Sequence, residues 1–292
     1  MFSGKGEKKI RIGIIGGDKR EEVMINYLAE AGYNICVLAE DKEFHPAVNC
    51  SGDINEVISN KDVVIAPMSN TDQDGFIKST FVSFPVRLTG DFFRFMNKDT
   101  LFLIGIAKPV VKDNLEAEDI RYIELAKLDN LAIMNAIPTA EGAIQIAIEE
   151  SEKTLYGSDI MTYGLGKVGL SLAWRLKALG AQSYAVTRDK GAIARGKDLG
   201  INMLTYDKLN EYLPMMDIVF NTVPSLIIRN DSISLMKKTA IIIDLASAPG
   251  GIDFISAEKN GIKAIQALGL PGKVAPVSAG KILAEIIPDL IN

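Results

Sequence analysis

Short apolar, β-branched runs alternate with helix-like stretches along the whole chain, the pattern of parallel sheets covered on both faces. IRIGII at 10–15 reads as a buried strand, GGDKR as a turn, and Glu21 to Glu30 as a helix closed by Gly32. NICVLAE, DVVIAPM and TLFLIGI supply further strands, and a helix is expected from about Glu118 to Leu128. From Thr139, TAEGAIQIAIEESEKTLYG keeps Ala and Ile at helical spacing, opening with a Thr cap after Pro138 and closing at Gly157. A second series follows in DIMTYGLG, AQSYAVTR, DIVFNTVP, AIIIDLAS and KAIQALGL. The last segment, about Val277 to Leu290, is helical with no strand after it, so it is expected to return to the first domain. The expected fold is α/β, two doubly wound parallel-sheet domains with a cleft between them. Residues 1–138 with the C-terminal helix 277–292 form a flavodoxin-like domain for substrate or partner, and 139–276 form a linking helix and a Rossmann domain.

Composition narrows the function. The chain has 292 residues, 48% hydrophobic and 24% charged, enough apolar material for these cores. The opening MFSGKGEKKI lacks an apolar signal core, and no apolar run approaches the roughly 20 residues of a membrane span, so no membrane association and a cytoplasmic location are expected. With 32 Lys plus Arg against 37 Asp plus Glu, the net charge of −5 offers no broad basic face for nucleic acid. Cys36 and Cys50 are too few and wrongly spaced for a disulfide framework or a metal site. His45, the only histidine, lies in the loop-like EFHPAV, which favours a reaction that needs no histidine. No metal is expected.

The chemistry concentrates after DIMTY. Gly164, Gly166 and Gly169 form GxGxxG directly after a strand, with Lys167 and Val168 opening the following helix. In that context the first glycine permits the tight turn, the second lets backbone approach a pyrophosphate, and the third lets helix close on sheet. The helix N-terminus then binds the anion. NAD enzymes place an acid at the end of the next strand to bond the ribose 2′-hydroxyl. Here AVTR ends in Thr187 and Arg188, a hydroxyl and a guanidinium suited to a 2′-phosphate, so NADP is the expected cofactor. A shifted strand end would instead bring Asp189 to the ribose.

Ligands of open parallel sheets bind outside the carboxyl ends of the strands. Asn221, Thr222 and Pro224 in NTVPS are expected around the nicotinamide ribose, Leu245 in DLASAPGG and Leu268 in LGLPGKVAP beside the cofactor, and Asp244 either at a ligand or capping its own turn. In the first domain, Asp18 and Arg20 of GGDKR, Ser69 and Asn70 of PMSNTD, and Lys108 of GIAKP end strands facing the expected cleft. Arg20 and the N–H groups of Gly16 and Gly17 could bind a substrate carboxylate, with Asp18 or Glu141 the proton acceptor through a raised pKa. NAIPTAEG adds Asn135, Thr139 and Glu141 at the hinge, where Thr139 and Glu141 either cap a helix or take part in catalysis.

Through GGD-x-R, NAIPTAEG, GLGKVG, NTVPS, DLASAPGG and GLPGKVAPVSAGKIL the chain resembles the dipicolinate synthase A-subunit family of spore-forming bacteria over nearly its whole length. The resemblance implies formation of a pyridine dicarboxylate from a dihydro- or hydroxytetrahydrodipicolinate, with a flavoprotein-like B subunit. It carries over residue roles only at Gly164, Gly166 and Gly169, and Lys108 matches no family motif. A homo-oligomer is expected. The competing readings are a 2-hydroxyacid or shikimate-type dehydrogenase, the former usually needing a His that the second domain lacks, and a non-catalytic NADP-binding regulatory protein.

Overall fold

The computed structural model describes residues 9–69 and 71–291, so the polar stretch 1–8 and the candidate Asn70 lie outside the described residues. The chain divides into two compact units, one running to Ala132 and resuming at Ala275, the other Ile133–Val274.

In the first unit the elements are β1 (Arg11–Ile14), α1 (Lys19–Glu30), β2 (Asn34–Leu38), β3 (Asn49–Ser51), α2 (Ile54–Ile58), β4 (Val63–Ile65), α3 (Gly90–Arg94), β5 (Leu101–Ile104), α4 (Pro109–Ala117) and β6 (Tyr122–Glu124). All neighbouring strands pair in parallel, in the order β3-β2-β1-β4-β5-β6. That is the dinucleotide-fold order and corrects the flavodoxin-like expectation. Without β3 the same sheet would read 2-1-3-4-5. The three residues Asn49, Cys50 and Ser51 form no apolar run that would betray a strand. The helix expected at Glu118 to Leu128 is instead β6 followed by a 3-10 turn, Leu125–Lys127.

Alternate strand residues feed opposite faces, which explains the continuous apolar runs. Ile12, Ile14, Ile65 and Leu103 join one core, while Ile15, Val64, Phe102 and Ile104 join the other. The first core is closed by α1 and by the terminal helix α12 (Pro276–Ile291), where Met24, Ile25 and Leu28 meet Ile282, Leu283, Ile286 and Ile287. Each such side chain contributes about 1.5–3 kcal/mol by leaving water. Gly280 permits the close approach of the two helices, because a Cβ there would lie 2.4 Å from the Arg20 carbonyl oxygen.

Helix α5 (Asp129–Glu150) carries the chain from the first unit into the second. It begins ten residues before the expected Thr139 cap and carries Pro138 in its interior. Proline lacks the N–H that would bond the preceding turn, and the Thr139 hydroxyl donates to the Asn135 carbonyl oxygen at 2.7 Å within that turn. An 18-residue window within α5 has a mean hydropathy of 1.3, so by length and composition alone the helix is apolar enough to cross a bilayer. Its Ala140, Ala143, Ile144 and Ala147 are buried in the core of the second unit.

The second unit holds β7 (Asp159–Tyr163), α6 (Lys167–Ala178), β8 (Gln182–Val186), α7 (Lys190–Asp198), β9 (Asn202–Leu204), α8 (Leu209–Tyr212), β10 (Ile218–Asn221), α9 (Asn230–Ile233), β11 (Ile241–Asp244), α10 (Phe254–Lys259), β12 (Lys263–Gln266) and α11 (Leu270–Val274). The chain then enters α12 (Pro276–Ile291) of the first unit. The parallel order β12-β11-β10-β7-β8-β9 repeats the arrangement of the first sheet, and its switch point lies between β7 and β10.

Candidate functional site: the dinucleotide loop and the strand ends

At the switch point, β7 runs into the loop Gly164–Gly166 and then α6. Gly164 has φ +83°, and a Cβ on it would sit 2.5 Å from the Thr222 hydroxyl oxygen. Gly169 is equally confined, since its Cβ would lie 2.1 Å from the Gly164 carbonyl oxygen. Gly166 differs: a Cβ there would meet nothing within 4 Å. This open space stands at the N-terminus of a twelve-residue helix that no side chain caps. Two glycines therefore serve packing, and the third leaves room for a ligand. A pyrophosphate fits this cradle, with the backbone of Gly166, Lys167 and Val168 as its anion-binding end.

Beside it, β8 ends at Val186 and presents Thr187 and Arg188. Asp189 follows them and is engaged with its own loop and helix. Its side chain accepts a hydrogen bond from the Ala192 N–H and caps α7, while its own N–H donates to the Thr187 hydroxyl oxygen at 3.3 Å. The exposed Arg188 guanidinium lies over the Tyr206 ring, 5.2 Å from its centroid. Gly164, Thr187, Arg188, Asp189, Tyr206 and Ser225 are among the residues that line a cavity of about 300 Å³.

The next two strand ends are locked together. Asn221 is fully buried and donates through Nδ2 to Asp244 Oδ1 at 2.8 Å and to the Val223 carbonyl oxygen at 3.0 Å. Its Oδ1 accepts from the Val223 N–H at 3.1 Å. Asp244, also fully buried, accepts from the N–H groups of Ala246 at 3.1 Å and Gly251 at 2.9 Å. Both side chains are thus engaged within their own loops, and Asp244 serves its own turn. Thr222 donates to the Tyr163 carbonyl oxygen at 2.9 Å and ties the loop to β7. Pro224 and Leu268 are exposed, and Leu245 is half-buried against the core.

In the first unit, Asp18 is the N-cap of α1, and Arg20 binds it with both Nε and Nη2, the latter at 2.7 Å. Burial alone would raise the Asp18 carboxyl, but the hydrogen bonds and charge of Arg20 outweigh it and hold it below the usual range. Asp18 is therefore a weak proton acceptor, contrary to expectation. Glu21, missed by the sequence reading although Asp18-x-x-Glu21 has capping-box spacing, is buried and accepts from the N–H groups of Asp18 and Met68, each at 2.8 Å. Burial pushes its carboxyl pKa up. The Gly17 N–H, expected to face a ligand, donates to the Ser79 hydroxyl oxygen at 3.1 Å. The Ser69 hydroxyl donates to the Lys78 carbonyl oxygen at 3.2 Å, and Lys108 is the N-cap of α4. His45 accepts through Nδ1 from the Ala47 N–H at 3.2 Å, a loop role. On α5, Asn135 and Thr139 are half-buried, while Glu141 is exposed, with Arg175 Nε at 3.9 Å.

Two units of dinucleotide-fold order, the second with an open-centred GxGxxG loop at its switch point, define a dehydrogenase-type protein that binds a nicotinamide dinucleotide. Consistent with this, residues 136–250 match the NAD binding domain of D-isomer specific 2-hydroxyacid dehydrogenases, and residues 11–126 match the N-terminal domain of the dipicolinate synthase A subunit. The chain is 35% identical to the dipicolinate synthase A subunit of Bacillus subtilis over 286 residues, 97% of this chain and 96% of that one. Crystal structures of the Bacillus halodurans and Bacillus subtilis proteins superpose with a TM-score of 0.91 at 33% identity, covering 97% and 98% of this chain and 97% and 96% of theirs. The chain belongs to the dipicolinate synthase A-subunit family.

Proposed function

We propose that this chain is an NADP-dependent oxidoreductase that forms dipicolinate, pyridine-2,6-dicarboxylate, from a dihydro- or hydroxytetrahydrodipicolinate. It works in the cytoplasm, as a homo-oligomer, with a flavoprotein-like B subunit. Family membership supports the substrate, and the end of β8 supports the cofactor: Thr187 and Arg188 stand where an NAD enzyme carries an acid, and Asp189 is occupied in capping α7. The α6 N-terminus holds the pyrophosphate, and Thr187 with Arg188 holds the 2′-phosphate. When bound, NADP supplies the hydride acceptor. Arg20 binds a ring carboxylate, and Glu141 takes the proton released as the ring becomes aromatic. Asn135 and Thr139, joined by the hydrogen bond from the Thr139 hydroxyl to the Asn135 carbonyl oxygen, lie on the same helix as Glu141. Loss of water and hydride yields an aromatic product, so the residues need mainly orient the ring and remove a proton. A 2-hydroxyacid dehydrogenase reading lacks its usual acid–base, because the second unit contains no histidine.

The test is to supply hydroxytetrahydrodipicolinate and NADP to the chain, with and without the B subunit, and to follow dipicolinate and NADPH together. Equal amounts of both, dependent on Arg20 and Glu141, are expected. Dipicolinate formed at the same rate without nicotinamide cofactor would overturn the proposal.

A further inference from the structure

The register of β8 and β9 sets a pair of side chains beside each other beyond the strands. Val186 pairs with Leu204, so two residues further along each strand's path lie Arg188 and Tyr206. Tyr206 opens a 3-10 turn, Tyr206–Lys208, that follows β9 at once and fixes its backbone. Its ring packs against the core formed by Met161, Tyr163, Val186 and Leu213, which leaves it half-buried with one face toward Arg188. Arg188 itself is exposed, and a free arginine of that kind samples many rotamers. A guanidinium over an aromatic face is attracted by the ring quadrupole. The two residues line the same cavity of about 300 Å³, together with Gly164 of the phosphate loop and Asp189, whose side chain caps α7.

We propose that Tyr206 is a positioning residue for dinucleotide selection. Its ring holds the Arg188 guanidinium at the cavity mouth, preorganised for a phosphate on the adenosine ribose. The inference rests on the NADP reading above and adds that discrimination belongs to the pair rather than to Arg188 alone. The tyrosine hydroxyl has no part in it, so the aromatic face alone should suffice.

NADPH and NADH dissociation constants are measured by fluorescence titration for the full chain and for Tyr206→Phe, Tyr206→Leu, Arg188→Ala and the double variant Arg188→Ala/Tyr206→Leu, with thermal melting as the control for folding. Leu keeps apolar bulk but removes the ring face, so a packing role would survive it. The expected result is unchanged binding in Tyr206→Phe and NADPH binding weakened about three- to tenfold in Tyr206→Leu, with NADH unaffected. In the double variant the Leu substitution should cost nothing beyond Arg188→Ala. Equal weakening for both cofactors would show the ring touching a part they share, and would overturn the inference. So would full NADPH affinity in Tyr206→Leu while Arg188→Ala loses it, which leaves the NADP reading intact. An unmodified chain without NADPH preference would overturn both.

Discussion

Asn221 and Asp244 bond each other across the ends of adjacent strands, Nδ2 to Oδ1 at 2.8 Å, and their remaining acceptors are filled by loop N–H groups. The pair fixes the loop after β10, next to the phosphate loop, and the loop after β11 beyond it. Asp244→Asn would set an amide against N–H donors in a fully buried place. It is expected to destabilise the protein by about 1–3 kcal/mol, read from chemical denaturation, and to loosen the 245–251 loop toward proteolysis. Unchanged stability would show that the loops are held by other contacts.

The three glycines of the phosphate loop should separate by their surroundings. Gly166→Val points a side chain into open space, so it should abolish dinucleotide binding while shifting unfolding by no more than about 1 kcal/mol. Gly169→Ala drives a methyl group against the Gly164 carbonyl and should cost about 1–3 kcal/mol of stability. Titration calorimetry and denaturation of both variants check the contrast. A folded Gly166→Val protein that still binds would reduce the loop to a turn.

Asp217 predicts an acid-sensitive contact at the other end of the second sheet. It accepts from Lys153 at 2.7 Å, Lys237 at 2.6 Å and the Asp159 N–H at 3.0 Å. Burial raises its carboxyl, but the two lysines and the N–H outweigh this and hold it below the usual range. A lowered folded pKa gives stability that is present above the unfolded value of about 3.9 and is lost as pH falls through the folded value. Asp217→Asn should therefore cost about 1–2 kcal/mol at pH 7, a figure reduced by the exposure of Lys153, and nothing at low pH. Denaturation midpoints of both proteins from pH 7 to pH 3 should converge. A constant gap would contradict the linkage.

The fold was legible where apolar runs are long and obscure where strands are short. IRIGII and AIIIDLAS announce buried strands because both sheet faces are covered, whereas β3, β6 and β9 each have three residues and too little apolar length to register. Missing β3 turned a dinucleotide-fold order into a flavodoxin-like one. Thr139 after Pro138 read as a helix cap because a threonine there suits an N-terminus, yet α5 passes through both residues. At the site, GxGxxG carried its own geometry in its spacing. The roles of Asn221 and Gly17 were hidden because their partners, Asp244 and Ser79, are distant in the chain and meet only in the fold, whereas Arg20 and Glu21, the partners of Asp18, are local. Tyr206 escaped notice because the strand preceding it did.

The central claim is that the second unit binds NADP and selects it through Arg188. Paired equilibrium titrations of NADPH and NADH against the unmodified chain and Arg188→Ala test it most directly. A charge-assisted contact to the 2′-phosphate is worth about 1.5–3 kcal/mol, so NADPH should bind roughly ten- to a hundredfold tighter than NADH, and Arg188→Ala should remove that advantage while leaving NADH affinity in place. NADH binding as tightly as NADPH, or equal losses for both cofactors in Arg188→Ala, would contradict it.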